Sequence, residues 1–220
     1  MSSRVPLASA CLLALLLLPA TRWTDAAAAA DSGAAPPPHA HGGACADAAA
    51  TFREKLEPVI EAAIDGQAGH AATACEHALT WWTGHADKIG AGTPADSLIG
   101  VMVAVGRGGN PLEAARVAVI AATASFKWCD TAPRLADRLM ILDLVGMAAW
   151  LRAHGVESPG PTAAEEAVSA VATALRAKHR EALTDRLRKA VRETLSAPAG
   201  TDAPAKRLLD LVDVVETALR

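Results

Sequence analysis

The sequence predicts an all-α fold, a compact bundle of about six to seven helices, mostly up-down antiparallel, behind a signal peptide and a flexible leader. Three observations carry this. Alanine, the best helix former, makes up about a quarter of the chain, while there is no tyrosine and only two phenylalanines. Apolar residues recur at steps of three and four, the spacing of one helix face. Proline, glycine and capping residues punctuate the stripes where helices should start and stop. Runs of β-branched and aromatic residues are scarce, which argues against all-β and α/β classes.

The N-terminal residues read as an address rather than as part of the fold. Arg4 is followed by an apolar run from Leu7 to Leu18, then Pro19 and a small-residue zone around Ala26 to Ala30. This is the pattern of a Sec-type signal peptide over 1–26, cleaved near 26–30, with export to a periplasm or the exterior. The run is shorter than the ~20 apolar residues a spanning helix needs. Cys11 follows Ala8-Ser9-Ala10 but precedes the leucine run, so it does not sit where a lipidated cysteine would. Residues 27–44 hold alanines, Pro36-Pro37-Pro38 and Gly42-Gly43, too little apolar bulk to offset chain ordering, and read as a flexible leader. Residues 45–220 then form one domain of about 175 residues.

A first helix is expected over about Ala46 to Ile64, with Cys45, Ala49, Phe52, Leu56, Val59 and Ala63 on its stripe, a kink at Pro58 and a stop at Asp65-Gly66. The second, about Ala68 to Ala86, carries Ala71, Cys75, Ala78, Leu79 and Trp82 on one face and His70, Thr73, His77 and Thr80 on the other. Thr93-Pro94 opens a short third helix, which ends at Gly106 to Gly109. Asn110-Pro111-Leu112-Glu113 is a strong start for the fourth, whose stripe runs Leu112, Ala115, Val119, Ala122, Phe126, Cys129. The fifth, about Ala132 to His154, is apolar on several faces and should be central to the bundle. Thr162-Ala163-Ala164-Glu165 reads as a capping box opening one long helix to about Ser196. The last helix, about Pro204 to Leu219, should bury Leu208, Leu211, Val212 and Val215.

Three cysteines fall in the domain, and export makes a disulfide plausible. Cys45 precedes the Gly66 turn and Cys129 follows the Gly109 turn by similar stretches, each ~30 Å of helical rise. In an up-down bundle both turns share one end, so Cys45 and Cys129 should meet at the other. Cys75 stands only ~13 Å above its turn. Cys45–Cys129 is therefore the expected pair. Cys45–Cys75 and Cys75–Cys129 remain the alternatives, as do three buried thiols.

Candidate chemistry is sparse. His39 and His41, with Cys45 nearby, could hold copper, nickel or zinc, although a proline- and alanine-rich leader offers no preformed site. His70 and His77 share a face but stand two turns apart, wider than the three or four residues of helical metal pairs. Covalent haem attachment is excluded by the lack of Cys-x-x-Cys-His. Met102, Met140 and Met147, which could serve as axial ligands, are more simply core residues. No cofactor is assigned. Asp143 lies between Met140, Met147 and Trp150 on the central helix; a buried carboxylate there needs a cation, such as Arg107, Arg116 or Lys127, or a raised pKa. Trp81, Trp82 and Trp128 should gather near the disulfide as an apolar plug or the lining of a small cleft. The stretch 176–192 is basic and amphipathic and offers a contact for another protein or an anionic membrane. A net charge of -3 argues against a nucleic-acid partner. No phosphate loop, nucleophile elbow or zincin motif is present.

Three function classes follow. The leading one is a structural or protein-interaction module. The second is a binder of a metal, haem or small apolar ligand. The third is an enzyme using Asp143 or a histidine as its acid-base group.

Overall fold

A computed structural model describes residues 42–89, 92–129 and 131–220. The signal and leader readings, with His39 and His41, lie outside these residues. Among the described residues the protein is all-helical, with eight helices: α1 (Gly42–Ile64), α2 (Ala68–Ile89), α3 (Gly92–Arg107), α4 (Pro111–Ser125), α5 (Leu135–Ala153), α6 (Ala164–Ala177), α7 (Glu181–Ser196) and α8 (Ala203–Leu219). No helix among them is long and apolar enough to cross a membrane.

The helices form two groups of four. In the first, α1 packs on α2 and α4, and α3 packs on α2 and α4. In the second, α5 packs on α6 and α8, and α7 packs on α6 and α8. Each group has its own core. Phe52, Leu56 and Ile60 of α1 meet Cys75 and Trp82 of α2, Ile99 and Met102 of α3, and the alanine-lined face of α4. Val171 and Leu175 of α6 meet Leu187 and Val191 of α7 and Leu208, Val212 and Val215 of α8. Helix α5 belongs to both. Leu144, Met147, Ala148 and Leu151 enter the first core; Leu139, Ile141, Leu142 and Val145 enter the second. A helix apolar on several faces has to be buried on several sides, and α5 is the wall the two groups share. The small side chains of α4, Ala114, Ala115, Ala118, Ala121 and Ala122, let it lie close against its neighbours.

Local chemistry accounts for most helix ends. Asn110 caps α4 by accepting from the Glu113 N–H at 3.2 Å, with Pro111 at the first turn. Helix α4 stops at Ser125, four residues short of the predicted stripe's last member. There Lys127 and Trp128 donate to Ala124 and Ser125 in a tightened turn, and the Ser125 hydroxyl donates to the Ala122 carbonyl at 2.7 Å. Helix α1 begins earlier than expected, at Gly42, and continues through Pro58, which lies on its exposed side.

Two expectations fail in the second group. The Thr162 to Glu165 capping box does not form: α6 begins at Ala164, and its N-cap, Ala163, offers no side-chain acceptor. The single long helix is two, which takes the count beyond six to seven. His179 has a φ of 56°, and the chain closes α6 with Arg180 N–H to Leu175 C=O at 3.0 Å and His179 N–H to Arg176 C=O at 2.9 Å. This is the paired-bond stop that usually places glycine at the left-handed residue. With histidine there, the sequence carries no glycine to announce it.

Candidate functional site

Three regions hold the residues that could carry chemistry. The first is the disulfide end. Cys45, in the opening turn of α1, is bonded to Cys129, just beyond α4, with their Cα atoms 5.8 Å apart. Cys75 is buried and free. Beside the disulfide, Phe52 stands at the centre of the tryptophans: 6.0 Å from Trp81, 5.0 Å from Trp82 and 5.3 Å from Trp128. Trp82 donates its indole N–H to Asp96 at 2.7 Å, and Trp81 stacks on His85 at 4.5 Å. The aromatics fill the space against one another, with edges and faces in the tilted and stacked arrangements that aromatic pairs prefer.

The same end holds a buried polar node that the sequence reading did not single out. The guanidinium of Arg53 pairs with the Asp137 carboxylate, donates to the Ser125 hydroxyl at 3.1 Å, and lies 4.1 Å over the Phe126 ring. The other Asp137 oxygen accepts from the Arg134 N–H at 2.8 Å, capping α5. Burial lowers the Arg53 pKa from its ordinary value, and Asp137 opposes that shift. Arg53 follows Phe52 and sits four residues beyond Ala49, so it is on the edge of the apolar stripe. That placement was the available signal for a buried cation. Its partner is 84 residues away, which no local pattern reveals.

The second region surrounds Asp143. Among the described residues none of the cations expected for it, Arg107, Arg116 or Lys127, forms an ion pair with Asp143; Arg107 pairs with Glu76 and Arg116 with Glu113. Asp143 is partly buried, with the carboxylates of Glu57, Asp213, Glu216 and Glu61 in its electrostatic surroundings. Desolvation, reinforced by these carboxylates, holds its pKa well above the usual carboxylate range. Glu57 is pushed the same way, by burial first and then by Glu61, Asp213 and Glu216. A raised acid can donate a proton or a hydrogen bond, but among the described residues no ion pair reaches this one.

The third region is a groove of about 610 Å³ between α6 and α7, lined by Glu165 and Val168 on α6 and by Asp185, Arg188, Lys189, Val191, Arg192 and Leu195 on α7. Leu195 is 52% exposed. Lys189 lies within reach of Glu193 at 3.8 Å, while Arg188 and Arg192 enter no ion pair among the described residues. The stretch 176–192, expected as one amphipathic helix, is divided at His179: Arg176 closes α6, and Arg186 to Arg192 belong to α7. The basic face is therefore shorter than expected and is confined to α7.

His70 and His77 are both exposed on α2, and His70 contacts the Gln67 side chain. Among the described residues, no group of three or more histidine, cysteine, aspartate or glutamate side chains is placed to hold a metal ion. Met102 and Met147 are buried in the first core. Comparison with protein-family models, with curated proteins and with solved structures found no match.

Proposed function

We propose that this protein is an exported helical scaffold that docks a partner protein on its α6–α7 face. The groove carries the reading. Its apolar floor of Val168 and Val191 runs out to a half-exposed Leu195, and Arg188 and Arg192 stand beside it one turn apart with no carboxylate bound to them among the described residues. An isolated exposed leucine is ordinary; one at the mouth of a concave, charge-rimmed groove suits the anchor residue of an amphipathic helix. The free guanidinium pair favours a partner with carboxylates flanking that anchor.

Export is part of the same proposal. It rests on the Sec-type pattern over 1–26 and the leader over 27–44, and the Cys45–Cys129 bond suits an oxidising compartment. The order of packing within each group of four supports a mostly up-down reading of the bundle. The test is the native complex recovered from the exported fraction. Arg188→Glu/Arg192→Glu and Leu195→Asp are each expected to release the partner while the monomer stays folded and oxidised. Raising the salt should weaken the wild-type complex. Complexes that survive both variants would overturn the proposal. Loss of binding to anionic phospholipid vesicles, with no protein released, would make the face a membrane contact instead.

A further inference from the structure

Three large apolar side chains stand exposed among the described residues: Leu135, Leu195 and, at 48%, Val214. Two of them lie on helices that pack together, α7 and α8, and their immediate neighbours carry opposite charge. Leu195 follows Arg188 and Arg192 at the mouth of the α6–α7 groove. Val214 stands on the outer face of α8, with Asp213 beside it and Asp210 one turn back, and all three are exposed. Residues three and four apart are neighbours on a helix surface, so Asp210, Asp213 and Val214 form one patch. The spacings match as well. Arg188 and Arg192 are ~6 Å apart in helical rise, and Asp210 and Asp213 are ~4.5 Å apart.

The ion pairs of the bundle leave these charges over. On α8, Lys206 is held by Asp202 at 2.8 Å, Arg207 by Glu193 of α7 at 3.3 Å, and Arg220 by Glu216 at 2.6 Å. Asp210 and Asp213 enter no ion pair among the described residues. Nor do Arg188 and Arg192, although Glu165 and Asp185 also line the groove. The two sets cannot meet within one molecule. The inner face of α8, with Leu208, Leu211, Val212 and Val215, is buried in the second core. The Thr194 hydroxyl of α7 donates to the Pro204 carbonyl in the first turn of α8 at 3.0 Å, which ties the two helices together. The outer face of α8 therefore points away from the core that α6 and α7 share.

We propose that the occupant of the α6–α7 groove is the outer face of α8 on a second copy of this chain. The inference rests on the docking reading given above and names the partner. Val214 of one copy settles on the Val168 and Val191 floor beside Leu195 of the other. Asp210 and Asp213 supply the flanking carboxylates for the Arg188 and Arg192 guanidiniums, in charge-assisted hydrogen bonds. Two of the three exposed large apolar side chains leave water together. Groove and helix are separate surfaces, so each copy supplies one of each. The assembly closes as a reciprocal dimer or a ring, or runs on as a chain.

The test is light scattering on the purified, oxidised full chain over a rising concentration series, with no other protein present. The expected result is reversible association that high salt weakens. Arg188→Glu/Arg192→Glu and Asp210→Arg/Asp213→Arg should each weaken it by about tenfold or more, because two attractive contacts become like-charge ones. An equimolar mixture of the two variants should associate again, since each groove then meets an α8 of opposite charge. Val214→Lys should weaken association too, and it supplies the reading on α8 should a double variant fail to fold. A photo-crosslinking residue at position 195 of the purified chain should attach to α8 of another copy. A monomer at every concentration, association indifferent to both charge reversals, or a mixture that stays apart would overturn the inference. A monomeric purified chain whose position 195 captures a different protein in the exported fraction overturns the second copy alone and leaves the docking face standing. No adduct at 195 in either setting overturns both.

Discussion

Asp137→Ala is expected to be among the most damaging single substitutions in the bundle. The side chains of Arg53 and Asp137 are 5% and 10% exposed, so their charges are screened by little water. Removing the carboxylate strands the guanidinium against the Phe126 ring and one hydroxyl, that of Ser125. Breaking a buried pair in this way costs about 3–5 kcal/mol. The Arg134 N–H also loses its acceptor at the start of α5, worth about 1 kcal/mol more. The sum, about 4–6 kcal/mol, is a large share of the 5–15 kcal/mol typical of a domain. Arg53→Met should cost less, about 2–3 kcal/mol, because Asp137 keeps both Arg134 contacts. Replacing both, Arg53→Met with Asp137→Leu, leaves no orphaned charge and should return to within about 2 kcal/mol of wild type. The assay is urea unfolding at pH 7 with the disulfide intact, comparing midpoints at constant m. A double variant destabilised by the sum of the two single effects, within about 0.5 kcal/mol, would refute the reasoning.

Three further outcomes follow from the same geometry. Cys45→Ala/Cys129→Ala, or reduction of the bond, opens a loop with a sequence separation of 84 and should lower stability by about 4.5 kcal/mol, measured by the same urea titration. Burial, with Glu76 nearby, pushes the Cys75 thiol up to about 11, so a maleimide should label it only as fast as the protein unfolds; labelling of the native protein at pH 7 would contradict its placement. His179→Gly removes a side chain from a left-handed residue and should raise stability by about 0.5–1 kcal/mol, seen as a higher Tm, whereas a lower Tm would mean that the imidazole has a role in the α6–α7 turn.

Much of the architecture was legible because it depends on local spacing. The cap at Asn110 with Pro111 and Glu113 announced α4, and the all-round apolar character of Leu139 to Leu151 announced a central α5. The Cys45–Cys129 pair followed from helical rise, the position of two glycine turns and an up-down arrangement that sets both turns at one end. What escaped depended on partners far apart in the chain or on unusual residues at ordinary turns. His179 occupies a position where glycine is the normal cue, so α6 and α7 read as one helix. Thr162 had the right spacing for a capping box, but the chain enters α6 two residues later. Arg53 lay beside an apolar stripe, and only the fold brings Asp137 to it. Asp143 was recognised as an acid that would need a cation or a raised pKa, yet the charges that raise it come from Glu57 and Glu61 of α1 and Asp213 and Glu216 of α8, which no single stretch of sequence contains.

The central functional claim is that the α6–α7 face is the surface on which this protein works. The most direct measurement places a photo-crosslinking residue at position 195 in the full chain, with a second version at the exposed position 104 on α3, and compares their products in the exported fraction. The account predicts one discrete protein adduct at 195, absent at 104 and lost in the Arg188→Glu/Arg192→Glu background. Equal labelling at both positions, or an adduct at 195 that is indifferent to the two arginines, would contradict it.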